Sequence, residues 1–236
     1  MFRFAVVIMT NLRWCARFHS MTKEVMSRQD ATREEKYQVA RKIASVIRLK
    51  GKITEVVSFE SELPKGGYVM IANHQGRYDA LSIINTHDEP LSILIDEKKS
   101  NAPIEKDYLD VINCERIDKT NKRKSYQSIK NIYERIKNGE KILAFPEGDF
   151  DKKKKNSLRV FYSGCFHFVK DDKTPIVPIC LYDTYKGLNK FGKITVGVNY
   201  LKPIYYEEYQ DLSYNEIANL VRKRIEEKLK EIEEKQ

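Results

Sequence analysis

A histidine and an aspartate in the segment NHQGRYD are the side chains of this chain best suited to chemistry. His74 and Asp79 lie in that segment, which directly follows the apolar run YVMIA. A buried strand that ends in such a loop presents polar residues at the sheet edge where ligands of open α/β sheets bind. An ionised Asp79 that reaches one imidazole nitrogen would fix the tautomer of His74 and make the other nitrogen more basic. We therefore expect the pair to accept a proton from a hydroxyl group.

A glutamate follows a second strand-like run further along the chain. The run KILAF ends in PEGD, which places Glu147 just after a predicted strand, as His74 is placed. Two such strands in one parallel sheet would bring both side chains to the same edge. No serine or cysteine is paired with His74 nearby in the sequence, so we expect the substrate to supply the attacking oxygen. Taken alone, Glu147 has a simpler interpretation as an exposed loop carboxylate or a helix N-cap.

Strand-like and helical patterns alternate along the chain. The predicted strands are ITEVVSF, GYVMIAN, LSILID, YLDVINC, KILAF, PIVPICLY and KITVGVNYL. The predicted helices are residues 1–18, Asp30–Lys50, DALSIIN, KSYQSIKNIYERIKNG, Ser163–Lys170 and the last segment, which begins with a capping box at Ser213. This alternation predicts an α/β fold with a mixed, largely parallel sheet flanked by helices.

The N-terminal segment carries most of the net charge of +9, because residues 1–52 hold twelve Lys or Arg against four Asp or Glu. We predict a basic amphipathic helical pair over residues 1–52, an anionic partner at that end, and a catalytic domain over residues 53–236. The basic part has none of the motifs that read RNA or DNA, so no nucleic acid partner is expected. The longest apolar run there, FAVVIM, is far shorter than the ~20 residues of a transmembrane helix. The scattered cysteines suggest no zinc site and a reduced, intracellular setting.

Four motifs, in the expected order from about Gly66 to Pro203, resemble those of the glycerolipid acyltransferases, the lysophosphatidic acid acyltransferase family. NHQGRYD is similar to the NH-x-x-x-x-D motif of that family, and FPEGDF is similar to its Phe-Pro-Glu-Gly motif. VINCER, ending in Arg116, resembles an intermediate motif that closes on an arginine. TPIVPICL, with Pro175 and Pro178, resembles the last strand motif. Each motif alone is weak, whereas four in order are specific.

The resemblance implies a fold like that of glycerol-3-phosphate acyltransferase and a reaction that moves an acyl group from a thioester to lysophosphatidic acid, giving phosphatidic acid. His74 would be the general base and Asp79 its orienting partner. Glu147 and Gly148 would shape the acceptor site, and Arg116 would hold the acceptor phosphate. Because a thioester is already activated, neither a metal nor another cofactor is expected, and acyl-CoA or acyl-carrier protein would be the co-substrate.

The chain departs from the family pattern where two phosphate-binding cations are expected. Asp149 and Phe150 stand where the family usually carries Thr-Arg, and the segment FYSG lacks the expected lysine. Possible replacements are Arg77, Arg159 and the run Lys152–Lys155, of which the run has the simpler interpretation of a solvated loop. Asn73 and Pro178, which lie inside the motifs, complete the expected substrate-binding set. The alternatives are an acceptor such as another lyso-lipid or glycerol 3-phosphate, and a non-catalytic basic module that binds membranes.

The N-terminal helical pair has three interpretations: a membrane-surface anchor, a cleaved mitochondrial presequence, or helices that pack on the sheet. We favour the anchor, in which Phe2, Phe4, Trp14 and Phe18 enter the headgroup boundary while the cations meet anionic lipid. A lyso-phospholipid acceptor must be reached from a membrane. The expected location is therefore the cytoplasmic face of a membrane, as a peripheral or monotopic protein.

Overall fold

The structure, a computed structural model, describes residues 12–100, 103–151, 153–167, 169–170, 173–190 and 192–235. The helices are α1 (Leu12–Ser27), α2 (Arg33–Lys50), α3 (Asp79–Thr86), α4 (Pro103–Val111), α5 (Lys122–Lys137), the short α6 (Tyr206–Tyr209) and α7 (Tyr214–Glu234). The strands are β1 (Ile53–Phe59), β2 (Tyr68–Ala72), β3 (Leu91–Asp96), β4 (Glu115–Ile117), β5 (Lys141–Ala144), β6 (Ile176–Tyr182) and β7 (Ile194–Tyr200).

The strands that the structure describes form one sheet in the order β1-β7-β6-β2-β5-β3-β4. Every neighbouring pair is parallel except β6 and β7, which are antiparallel. β2 lies in the centre, between β6 and β5, so the carboxyl ends of these three strands meet at one edge. The predicted α/β fold with a mixed, largely parallel sheet flanked by helices is confirmed.

Helices cover both faces of the sheet, which explains the uninterrupted apolar run in β2. Tyr68, Met70 and Ala72 of β2 belong to the core cluster that also holds buried residues of α2, α3 and α4. Val69 and Ile71 belong to the opposite cluster, with buried residues of α5 and α7. A strand covered on both faces has no solvated side, so its sequence shows no polar alternation. In the parts of the chain described here, each helix is too short or too polar to cross a bilayer.

α2 begins at Arg33, three residues later than the predicted helix Asp30–Lys50, in which Asp30 is the candidate N-cap. Thr32, rather than Asp30, is its N-cap, since the Thr32 side chain accepts from the backbone of Glu35 and the Glu35 carboxylate accepts from the backbone of Thr32. Tyr37, Ala40 and Ala44 on this helix are buried in the core cluster shared with α3 and α4. α2 therefore packs on one face of the sheet of the predicted catalytic domain. The predicted domain boundary at residue 52 stays a prediction.

Part of the anchor prediction lies outside the described residues, since these begin at residue 12 and omit Phe2 and Phe4. The predicted helix over residues 1–18 can be compared only with α1, which continues to Ser27. Trp14 and Phe18 are half-buried on α1, with ring centroids 6.0 Å apart. The guanidinium of Arg17 lies 5.4 Å from the Trp14 ring centroid, which is a cation–π contact.

Two predicted elements are wrong. YLDVINC was expected to be a strand, but its first half is the last turn of α4, and a left-handed Asn113 (φ 53°) ends the helical stretch before β4. Short apolar runs of this kind do not distinguish helix from strand. The helix expected over Ser163–Lys170 is only a 3₁₀ turn, Ser163–Phe166. Gly164 in its first turn disfavours a longer helix.

Candidate active site

The ends of β2 and β5 bring His74 and Glu147 together. The two strands are adjacent and parallel, and each residue lies just beyond the last strand residue. The backbone N–H of His74 donates to Glu147 Oε1 at 3.0 Å. His74 and Glu147 therefore lie at the same edge of the sheet, as the two strand-like runs predicted.

His74 and Asp79 are in direct contact. The distance between His74 Nδ1 and Asp79 Oδ2 is 2.7 Å, and Asp79 is fully buried at the start of α3. The same oxygen accepts from the backbone N–H of Gln75 at 2.5 Å and of Gly76 at 2.8 Å. Oδ2 therefore accepts from both backbone groups. A carboxylate only accepts, so Nδ1 of His74 carries the hydrogen and Nε2 keeps its lone pair.

Two aromatic rings hold the imidazole of His74. Phe145 stacks on it with a centroid separation of 4.5 Å, and Phe150 meets it edge-on at 5.1 Å. The His74 side chain remains 20% exposed, and its Nε2 has no hydrogen-bond partner among the described residues. The ring is thus oriented by Asp79 on one side while the basic nitrogen is available to a substrate hydroxyl.

Glu147 is buried and acts as a connection between loops. Besides the bond from His74, its Oε2 accepts from the backbone N–H of Arg159 at 3.2 Å. Burial raises the pKa of the Glu147 carboxyl, although both backbone donors favour its ionised form. Gly148 follows with φ +73°, a left-handed conformation that favours glycine, and a Cβ there would lie 3.6 Å from the Tyr162 ring.

A network of side-chain amides supports the loop, and the motif spacing did not reveal it. Asn73 bonds the backbone of Leu181 through both ends of its amide, at 2.9 and 2.8 Å, which ties the end of β2 to β6. Gln75 donates to Leu181 O at 2.9 Å and to Asn156 Oδ1 at 3.0 Å, and Thr184 donates to Gln75 Oε1 at 2.9 Å. Since the backbone of Gln75 also binds Asp79, the network positions the His74–Asp79 pair. Asn73 was expected to bind substrate, but its side-chain amide is occupied.

The other predicted substrate-binding residues differ in their burial and in their contacts. Arg116 donates to Asp110 Oδ1 at 2.6 Å and to Ser100 Oγ at 3.0 Å. Pro178 is buried inside β6, opposite Ile71 of β2. Arg77 is exposed beyond the turn at Gly76. Lys152 lies outside the described residues, so its predicted role stays a prediction.

A lysine that sequence reasoning missed lies beside the PEGD loop. Nζ of Lys119 lies 3.8 Å from the position that a Cβ would take on Gly148. The Lys119 side chain is about half exposed, and its ion pair with Asp96 is loose, at 3.4 Å. Its position three residues after Arg116, just beyond β4, was the available signal.

No cluster of three His, Cys, Asp or Glu side chains with the spacing of a metal site occurs in the described parts of the chain. The groups gathered at the edge of the sheet are an oriented imidazole, a buried glutamate, a left-handed glycine and an ammonium. This set can remove a proton from a hydroxyl and hold an anionic group near it.

Comparison with known proteins identifies the family. The sequence model named Acyltransferase matches residues 54–182, which include β1 without its first residue, β2–β6, both motif loops and Lys119. The chain belongs to the acyltransferase family. The resemblance to glycerolipid acyltransferases that the motifs indicated is thereby confirmed.

Curated relatives have the same name in distant organisms. The 1-acyl-sn-glycerol-3-phosphate acyltransferase of Saccharomyces cerevisiae is 26% identical over 178 residues, which are 73% of this chain and 59% of the yeast protein. The protein of that name in Escherichia coli is 27% identical over 171 residues, 71% of this chain and 69% of its own length. The chain therefore spans somewhat less than two thirds of the yeast relative.

A solved acyltransferase has a similar fold. The crystal structure of the 1-acyl-sn-glycerophosphate (LPA) acyltransferase PlsC from Thermotoga maritima superposes with a TM-score of 0.66 at 17% identity. The match covers 96% of this chain and 98% of that protein. At this identity the similarity shows the fold alone. The two proteins share that fold along nearly their whole lengths.

Proposed function

We propose that this acyltransferase moves a fatty acyl group from an acyl thioester to the free hydroxyl of lysophosphatidic acid and so makes phosphatidic acid. The contact between His74 and the buried Asp79 is the observation that carries the proposal. The names of the curated relatives support the choice of acceptor. Acyl-CoA and acyl-carrier protein are both suitable donors, because each presents the same thioester.

The proposed reaction needs one base and no covalent enzyme intermediate. Nε2 of His74 takes the proton from the acceptor hydroxyl as its oxygen attacks the thioester carbonyl carbon. When the resulting tetrahedral intermediate collapses, the carbon–sulfur bond breaks and the thiolate leaves. The imidazolium then returns the proton to the thiolate, so the products are an ester and a free thiol. Asp79 stabilises the imidazolium that forms between the two steps.

Glu147 has a different part in this scheme. Both of its carboxylate oxygens accept backbone N–H groups, from His74 and from Arg159, so the carboxylate is turned toward the protein. We propose that it holds the PEGD loop against the base and thereby fixes where the acceptor lies. No metal ion or other cofactor takes part in the proposed reaction.

An acceptor panel tests the proposed function. Purified protein is incubated with labelled acyl-CoA or acyl-carrier protein and with lysophosphatidic acid, lysophosphatidylcholine, monoacylglycerol or glycerol 3-phosphate. We expect phosphatidic acid to be the dominant product. Preferred acylation of another acceptor would replace the proposed substrate, and absence of transfer with every donor and acceptor would favour a non-catalytic membrane-binding protein.

We propose that Lys119 holds the acceptor phosphate, the role expected of Arg116. Arg116 is already engaged by Asp110 at 2.6 Å, whereas the ion pair of Lys119 with Asp96 is half-exposed and long. Exposed pairs of that kind contribute little stability, so a phosphate can replace Asp96 as the partner of the ammonium. Lys119 also lies next to Gly148.

Lys119→Ala is expected to raise KM for lysophosphatidic acid by about 10-fold or more, the loss of a hydrogen bond to a charged group. Monoacylglycerol, which has no phosphate, should be acylated at an unchanged rate by the variant. Arg116→Ala is the matched control, for which we expect a lower Tm and an unchanged KM. The opposite pattern of KM values in steady-state kinetics would return the phosphate to Arg116.

A membrane surface is the proposed setting, since a lyso-phospholipid with a long acyl chain resides in a bilayer. The basic N-terminal segment and the Trp14 and Phe18 rings of α1 support an interfacial anchor at that end. We propose that the enzyme works at the cytoplasmic face, where acyl-CoA and acyl-carrier protein occur.

A further inference from the structure

Two large apolar side chains are exposed beside the PEGD loop. Val160 is 69% exposed and Tyr162 is 59% exposed, while Phe161 between them is buried in the core. Single exposed apolar residues are common on protein surfaces and need no explanation. Val160 and Tyr162 differ from such residues, because they flank the buried Phe161 and lie next to the proposed catalytic groups.

The segment that carries them is bonded to the active site. The N–H of Arg159 donates to Glu147, and the N–H of Tyr162 donates to Pro146 O at 2.9 Å. From the other side, Arg222 of α7 donates to the carbonyl of Arg159 at 3.1 Å. Val160 therefore has a fixed position relative to the PEGD loop and His74. The exposed surface around this loop and His74 is here called the entrance of the active site, and a partner that contacts Val160 lies at this entrance.

Exposed cations lie at the same edge of the sheet as His74. Six of them, here called the basic rim, lie in the segments that follow β4 and β5: Lys122, Arg123, Lys124, Lys153, Lys154 and Lys155. The carboxyl ends of β4 and β5 are at the edge of the sheet where His74 lies, because β3 joins the two strands in parallel. The acidic residues of these segments are Asp118, Glu147, Asp149 and Asp151, which are fewer than the six cations, so the rim retains a positive excess.

We propose that Val160, Tyr162 and the basic rim form a second membrane-contact surface, which places the entrance of the active site on an anionic bilayer. The surface is separate from the N-terminal anchor, and the proposal rests on the proposed function, in which the acceptor is a lipid. Apolar side chains at headgroup depth, next to lysines that meet anionic lipids, are the features of an interfacial contact. An acidic protein partner would be attracted by the cations alone and gives no reason for Val160 to be exposed.

Co-sedimentation of the full chain with vesicles tests the surface. Vesicles of phosphatidylcholine alone are compared with vesicles that also contain phosphatidylglycerol. Val160→Ser should weaken binding to both kinds by about three- to tenfold. Replacing Lys153, Lys154 and Lys155 with Gln should weaken binding only to the anionic vesicles, by up to about 10²-fold for three lysines.

Val56→Ser is the matched control. Val56 is 56% exposed, like Val160, but it lies in the middle of the edge strand β1. We expect this variant to bind both kinds of vesicle as the unmodified protein does. Equal binding by the Val160 and Val56 variants would overturn the proposal, as would binding that does not depend on the Gln substitutions.

Turnover separates this surface from the proposed function. Val160→Ser should keep the unmodified rate on a short-chain, water-soluble lysophosphatidic acid and lose rate on the vesicle-embedded acceptor. An equal loss on both would assign Val160 to the site itself and overturn membrane contact. If the triple Gln variant loses only turnover with acyl-carrier protein while its vesicle binding is intact, the cations serve a protein partner and the proposal fails. The vesicle comparison stands even if no acceptor is acylated, which would refute the proposed function alone.

Discussion

Replacing His74 with alanine is expected to lower kcat by about 10²–10⁴-fold, the usual contribution of a positioned general base. Asp79 holds Nδ1 of His74, whereas Nε2 has no hydrogen-bond partner among the described residues. Nε2 is therefore the atom that can accept the proton of the substrate hydroxyl. The loss should appear in kcat and in kcat/KM alike, because the proton is transferred in the transition state and not on binding. Initial rates of phosphatidic acid formation measure both.

The fold should survive this substitution. The His74 backbone N–H that binds Glu147 is retained in alanine, and the side chain fills the space between Phe145 and Phe150 without joining strands. We expect the far-ultraviolet circular dichroism spectrum to be unchanged and Tm to fall by a few degrees at most. A variant that is folded and retains full kcat would refute His74 as the base.

A second His–Asp pair offers a matched control. His19 Nδ1 lies 2.7 Å from Asp107 Oδ2, the same distance as in the active-site pair, but His19 is about half exposed and bridges α1 and α4. His19→Ala should leave kcat unchanged on a water-soluble acceptor. The comparison shows that the contact alone does not identify a catalytic pair. Burial of the carboxylate and an open Nε2 at a strand end distinguish His74.

Local features of the active site were predictable from the sequence, whereas features made by distant segments were not. One short loop joins His74 to Asp79 at the start of α3, so their contact follows from the spacing. The neighbourhood of Glu147 required only that two apolar runs be adjacent parallel strands. The engagement of Arg116 by Asp110 could not be inferred, because it depends on the first half of YLDVINC being helical, which puts Asp110 within reach of Arg116 in β4.

The network of side-chain amides that supports the loop could not be predicted either, because it also joins distant segments of the chain. Gln75 and Asn73 occupy ordinary motif positions, and their partners Leu181, Thr184 and Asn156 belong to segments far along the chain. Polar residues directly after a buried strand were the only sequence signal. Hydrogen bonds of an amide depend on the final positions of two loops, which patterns of hydrophobicity do not encode.

Asp79→Ala is the other substitution expected to have a large effect, with a loss of about 10²–10⁴-fold in kcat. It removes the anion that stabilises the imidazolium and the acceptor that keeps the hydrogen on Nδ1. It also leaves the N–H groups of Gln75 and Gly76 without their acceptor at a buried position, which costs about 1–3 kcal/mol for each unsatisfied group. We therefore expect Tm to fall, and kcat must be referred to the folded fraction.

Asp79→Asn separates the charge from the hydrogen bonds. All three donors approach Oδ2, while Oδ1 has no hydrogen-bond partner among the described residues. An asparagine with its oxygen in the Oδ2 position can accept from all three, and its NH₂ group takes the place of Oδ1. The tautomer of His74 is then kept, so the loss should be smaller than in the alanine variant yet at least about 10-fold, since hydrogen bonds to charged groups are about twice as strong. Asp107→Ala, which removes the partner of His19, is the control and should not change kcat. If Asp79→Ala and Asp79→Asn both retained full kcat, His74 would not depend on an orienting anion, and the proton-transfer scheme would have to be abandoned.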